Sequence, residues 1–186
     1  MTSVDGNGPT PSEIIEFWFA AGPEQWFTKA PEFDAEIARR FGDATEQAAG
    51  GAFDHWCENS DGTLALILLL DQFPRNIHRG SARAFSADGK ALAIARTAIE
   101  RGVDREQPVE RRKWLYLPLE HAEDLKAQEE CVALFEATGI EADLKWAIDH
   151  RDIIARFGRF PHRNAVLGRQ STPEEDQFLA DGGFAG

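Results

Sequence analysis

"LALILLLDQFPRN", residues 64–76, opens with seven apolar residues and closes on a charged tail that contains a proline. The apolar run is too short to span a bilayer, which takes about 20 residues. Apolar on every side, the segment 63–72 fits a helix buried all round, with the rest of the chain arranged about it. Asp71 breaks that pattern. It sits at the C-terminal end of the apolar run, where the helix dipole disfavours a carboxylate. A buried charge without a partner is costly, so the chain must supply a cation, and Arg75, Arg79, Arg159 and Arg163 are the candidates.

Outward from this segment the pattern stays helical. "TPSE" (10–13) and "TPEE" (172–175) both read as helix starts, with threonine at the cap, proline in the first turn and glutamate at the third position. Phe33, Ile37, Phe41, Ala44 and Ala48 recur at steps of three and four before Gly50 and Gly51. A short helix holds Phe53 and Trp56. Ser86 is expected to cap a helix through Leu92, Ala95 and Ile99 that closes at Gly102. Another starts at Pro108 and is interrupted at Pro118. The next spans 119–138, with His121, Leu125, Gln128, Val132 and Phe135 on one stripe. The last long helix runs over 141–157 and stops at Gly158, and "TPEE" opens a short terminal one. No segment shows the period-two alternation of a strand. The fold class is therefore all-α, a single-domain antiparallel array of about eight to ten helices. It spans residues 10–186, after a flexible tail at 1–9.

The 186 residues are 42% hydrophobic and 28% charged, the balance of one globular domain. A net charge of −12 argues against nucleic acid, because a phosphate backbone repels an anion, and against a basic membrane-surface protein. Cys57 and Cys131 lie far apart and form no CxxC, which fits a reducing cytoplasm. The start "MTSVDGNGP" has no basic and no apolar region of a secretion signal.

Against this acidic background "RFGRFPHRNAVLGR" (156–169) carries four arginines and a histidine. Its "RFPHRN" resembles "QFPRN" (72–76). Proline fixes the turn beyond a helix, phenylalanine anchors it, and arginine presents a planar fork that grips carboxylate or phosphate at two points. Two such loops would form the walls of an anion site. Asp71, Arg75 and Asn76 come from the first, and Arg159, His162, Arg163 and Asn164 from the second. His121, polar on an apolar stripe, is the candidate general acid or base, oriented by Glu120 or Glu123. One reading is thus an enzyme acting on a small anionic substrate. An alternative is a non-catalytic helical module that binds an acidic peptide or a protein C-terminus. A third has the arginines simply locking Asp71, Glu120 and Glu123 in place. His150, taken alone, reads as a core histidine.

The chain has no GxSxG elbow, no GxxxxGK[ST] or GxGxxG phosphate loop and no HExxH. His121 with Glu123 or Asp124 and with His150 or His162 has no spacing that demands a metal. No metal and no cofactor are assigned. The oligomeric state is open.

Several blocks together are similar to a known family. "FWF" (17–19), "LALILLLDQFPRNIHRG" (64–80), "AFSAD" (84–88), "YLPLEHAEDLKAQ" (116–128) and "RFGRFPHRNAVLGRQSTPEE" (156–175) resemble the signature blocks of a bacterial family, domain of unknown function family 924. The resemblance covers nearly the whole chain from about residue 13. It implies an all-α fold of the tetratricopeptide-like kind and carries no assigned activity. Ala122 stands where members often have serine. No tetratricopeptide consensus is present, so peptide binding is not inherited from the fold label.

Overall fold

Thr10 accepts a hydrogen bond from the backbone N–H of Glu13, whose side chain bonds back to the Thr10 N–H, and this capping box starts α1 (Pro11–Ala21). The computed structural model describes residues 8–184; most of the tail expected at 1–9 lies outside them. After α1 come α2 (Pro23–Trp26) and α3 (Pro31–Ala49), then a 3-10 turn (Asp54–Glu58). α4 (Ser60–Ile67) continues without a break through a π-turn (Leu68–Gln72) into α5 (Phe73–Ile77). A 3-10 turn (Ala82–Phe85) leads to α6 (Asp88–Glu100), and another (Val103–Glu106) to α7 (Val109–Glu120). α8 (Leu125–Thr138), α9 (Glu141–Phe157), a 3-10 turn (Pro161–Arg163) and α10 (Pro173–Ala180) complete the chain. The described residues hold no strand, and with α4 and α5 taken as one rod they form nine helices in a single array.

The rod is the centre of the molecule, as its all-round apolarity implies. Every residue of 62–74 is buried. Ile14 and Trp18 of α1, Ile37 and Phe41 of α3, and Trp114 of α7 belong to the same core. Trp18 and Trp114 meet edge to face at 5.1 Å. α8 and α9 are joined by Gly139 and Ile140 alone and pack along each other, which makes them an antiparallel hairpin.

Three boundaries differ from the sequence expectation. The helix does not stop before "QFPRN". Pro74 has no N–H to give, and its ring would collide with the Leu70 carbonyl in a regular α-helix. The rod widens by one residue, so that the Phe73 N–H bonds to the Leu68 carbonyl, five residues back. The first Phe-Pro pair therefore lies inside a helix, and only the second, at Phe160-Pro161, sits in a turn.

The second break is at 121–124, not at Pro118. α7 passes through Pro118 because Trp114, Leu115 and Leu119, all buried, hold the turns on either side of it. It ends at His121. α8 starts afresh where the Asp124 side chain accepts the Lys126 N–H. His121 thus does not share a helix with Leu125 and Gln128. Leu125 is exposed, and the Gln128 amide donates to the carbonyls of Glu120 and Ala122, capping α7. Ser86 likewise does not cap α6; its hydroxyl donates to the Arg83 carbonyl and Ala87 takes the cap position.

Gly62, in the first turn of α4, lies where an added Cβ would stand 2.3 Å from the Trp56 carbonyl oxygen. Alanine normally stabilises a helix relative to glycine. Here Gly62→Ala is expected to destabilise the protein by about 1–3 kcal/mol, the cost of overpacking, measured by urea unfolding. An unchanged or raised midpoint would show that the 3-10 turn does not press on α4.

Candidate functional site

The π-turn delivers Asp71 into the core with no exposure at all. Its carboxylate accepts from His121 Nδ1 at 2.8 Å through Oδ1, and the same nitrogen is 3.0 Å from Oδ2. Gln72 Nε2 donates at 2.5 Å, and Arg75 Nη1 lies 3.3 Å from Oδ1. Burial works against the charge, but Arg75, His121 and Gln72 outweigh it and hold Asp71 below the usual carboxylate range. An ionised Asp71 fixes the imidazole tautomer. Nδ1 carries the proton and donates it, and Nε2 makes no hydrogen bond among the described residues. Burial and the Arg75 charge push the His121 pKa below its ordinary value, against the pull of Asp71. The neutral imidazole is therefore a base held by a carboxylate. The sequence reading had Glu120 or Glu123 orient it. Both are displaced from that role, because the break at 121–124 turns the ring towards the rod.

The arginines separate into two kinds. Arg75 grips Asp88 with two hydrogen bonds of 2.9 Å, and its Nη1 also donates to the Asp71 carbonyl. Arg159 takes both oxygens of Glu175, at 2.6 and 2.8 Å. Arg169 takes both oxygens of Glu123, which also accepts the Phe160 N–H. Arg79 takes both oxygens of Asp34, and the Asn76 amide donates to the same carboxylate. Asn164 donates to Ser171 and Glu175 and accepts from Arg169. These forks and amides are occupied by the protein itself.

Arg163 is different. It is 6% exposed, and its guanidinium lies between the rings of Phe85 and Phe160, with the central carbon 4.6 and 4.5 Å from their centres. Nη1 donates to the His121 carbonyl at 3.1 Å, and the nearest carboxylate oxygen, of Asp88, is 3.6 Å away. Nε is buried without a partner among the described residues. Burial and the neighbouring Arg75 charge pull its pKa down to about 10, so it remains a cation at neutral pH. The two Phe-Pro segments meet here, through Asp88. Asp88 and Phe85 escaped the sequence reading of the site, although both lie in the "AFSAD" block.

Glu120, His150 and His162 form an apolar annex. Glu120 is buried; burial, then Asp143 and Asp71, push its pKa up to about 8. His150 Nδ1 donates to the Trp146 carbonyl at 2.9 Å and lies 3.8 Å from Glu120 Oε1. His162 packs on Phe160 and Phe184, and its buried Nδ1 has no partner among the described residues. Burial lowers the pKa of each of these two histidines to about 4. Among the described residues no group of three or more His, Cys, Asp or Glu is placed to hold a metal ion.

The chain belongs to the family described as bacterial protein of unknown function, domain of unknown function 924, whose profile matches residues 14–183. It is similar to a solved structure, the protein of unknown function ATU0120 from Agrobacterium tumefaciens, at 46% identity and a TM-score of 0.89. That likeness covers 92% of this chain and 97% of the other. No curated protein matches.

The annex sets a pH optimum of stability. Between about pH 4 and 6.5 the unfolded chain binds more protons than the folded one at His150 and His162, so stability rises with pH. From 4.5 to about 8 the folded chain keeps the Glu120 proton that the unfolded chain has lost, so this group's contribution falls with pH. The two histidines outweigh one glutamate below 6.5, and above it only the glutamate acts. Stability is expected to peak near pH 6.5 and to fall on the alkaline side by about 1 kcal/mol per pH unit. Urea unfolding from pH 5 to 8.5 measures this. Glu120→Gln is expected to flatten the alkaline limb, and an unchanged limb would mean that Glu120 is ionised in the fold.

Proposed function

We propose that this protein is an enzyme that performs general-base chemistry on a small anionic substrate in the cytoplasm. His121 is the base and Asp71 the carboxylate that orients it and stabilises the imidazolium. Arg163 holds the anion. The observation that carries this reading is the pairing of an ionised, fully buried Asp71 with His121 Nδ1, which leaves Nε2 without a hydrogen bond among the described residues, while Arg163, which donates to the His121 backbone carbonyl, makes no carboxylate hydrogen bond among them and stands 3.6 Å from Asp88. A bound water passes a proton to Nε2 as its oxygen bonds to an electrophilic carbon or phosphorus of the substrate, the bond from that atom to the leaving group breaks, and the imidazolium returns the proton to the leaving group. His121 retains 16% side-chain exposure, which gives Nε2 its access.

The tetratricopeptide-like reading of the array is supported by the α8–α9 hairpin packed against α7. Binding of an acidic peptide has less support, because Arg75, Arg159 and Arg169 already hold Asp88, Glu175 and Glu123. One observation favours an interaction surface elsewhere. Phe27, 64% exposed, stacks on Trp114 with the Lys113 ammonium 5.5 Å from its ring centre.

The test is thermal unfolding with phosphate, acetate, malonate and citrate. A ligand that binds only the native state raises the melting temperature with its saturation. The rise is expected in the wild type and in Arg159→Ala, and is expected to vanish in Arg163→Ala. Once a bound class is found, His121→Asn is expected to keep the shift while turnover of that class drops by about 10²–10⁴-fold. No shift with any anion, combined with a large loss of melting temperature in Arg163→Ala, would make Arg163 structural and end the enzyme reading.

A further inference from the structure

Away from this cluster, α6 and the Asp54–Glu58 turn enclose a cleft of about 300 Å³. This is the small end of the range for ligand pockets. Its walls are mostly apolar: Cys57 from the turn, Ile94 and Ala98 from α6, and Val103 beyond it. Three charged side chains line it. Lys90 Nζ is 2.6 Å from Asp54 Oδ1 and donates to the Ala48 carbonyl at 2.8 Å, so that pair is closed. The third is Arg101. Its Nη1 donates to the Cys57 carbonyl at 3.3 Å, and it forms no ion pair among the described residues.

We propose that this cleft binds a small amphipathic carboxylate, with the carboxylate on the Arg101 fork and a short hydrocarbon body against Cys57, Ile94, Ala98 and Val103. Charge and shape both point to that class. Asp54 and Lys90 cancel, which leaves one uncompensated cation at the mouth and apolar surface inside. A polyanion would meet Asp54, whereas a neutral hydrocarbon would leave Arg101 without a partner. A carboxylate forms two parallel hydrogen bonds with a guanidinium, and its apolar tail gains by leaving water. Cys57 makes the cleft readable. Its thiol is half-buried on the cleft wall, while Cys131 has no exposure.

The rate of Cys57 alkylation by iodoacetamide, followed by intact mass, tests the proposal with octanoate as the probe. Octanoate at about nine times its dissociation constant is expected to slow alkylation about tenfold, since only the free cleft reacts. Arg101→Gln is expected to remove the protection and Arg163→Ala to leave it intact, which separates this site from the His121 cluster. Ala93→Trp, at the exposed rim, is expected to slow alkylation without octanoate and to abolish its further effect. No change with octanoate overturns the proposal, as does equal protection by octan-1-ol, which has the tail without the charge. Protection that grows with protein concentration in the absence of octanoate would assign the cleft to a second copy of the chain. A Cys131 adduct under octanoate also counts against it, because a seated ligand stabilises the fold.

Discussion

A carboxylate with no solvent exposure, at the end of the most apolar helix in the chain, is the constraint on which the rest depends. Asp71 in an otherwise apolar interior would cost several kcal/mol without partners. Each partner recruits another. Arg75 reaches Asp71 one turn on and is itself held by Asp88 at the start of α6. His121 reaches Asp71 only because α7 ends there, and its carbonyl accepts from Arg163. Glu123, in the same break, holds Arg169 and the Phe160 N–H and so docks the second Phe-Pro segment. A single buried charge thus ties α4, α6, α7 and the turn after α9 into one polar core.

The π-turn belongs to the same logic. Pro74 forbids a regular helix at Leu70, and the extra residue of the widened turn changes the direction of every side chain after it. Asp71 and Gln72 lie within that turn and side by side in the core. A proline that reads as a helix stop instead re-aims a carboxylate, the use that π-turns inside helices frequently serve.

The caps at Thr10 and Thr172, the apolar period of α3 and the all-round apolarity of 64–70 are local signals, and the helices they imply are present. Asp71, His121 and the paired Phe-Pro segments stood out in the sequence because each breaks a local rule. What was not legible depends on contacts far apart in sequence. Which carboxylate each arginine holds is set by tertiary placement: Arg159 faces Glu175, Arg169 faces Glu123, and Arg163 faces two aromatic rings. Pro118 misled because proline lowers helix propensity everywhere, while burial of Trp114 and Leu119 decides the outcome here. Asp88 gave no signal, since an acid in the first turn of a helix is ordinary.

The charge balance of the cluster bears on what it can bind. Asp71 and Asp88 carry two negative charges, Arg75 and Arg163 two positive ones, and His121 and Glu120 are neutral at pH 7. The cluster is balanced as it stands. Under the proposed function an incoming anion on Arg163 tips that balance to minus one. That charge raises the basicity of Nε2, so the proton released by the attacking water is the one that restores neutrality, with Asp71 stabilising the imidazolium. Anion binding and the strength of the base are then coupled through low-dielectric surroundings, where such coupling is strongest. The base so described is strongest only when a substrate is present, and the two rings against Arg163 keep water from screening the anion that strengthens it.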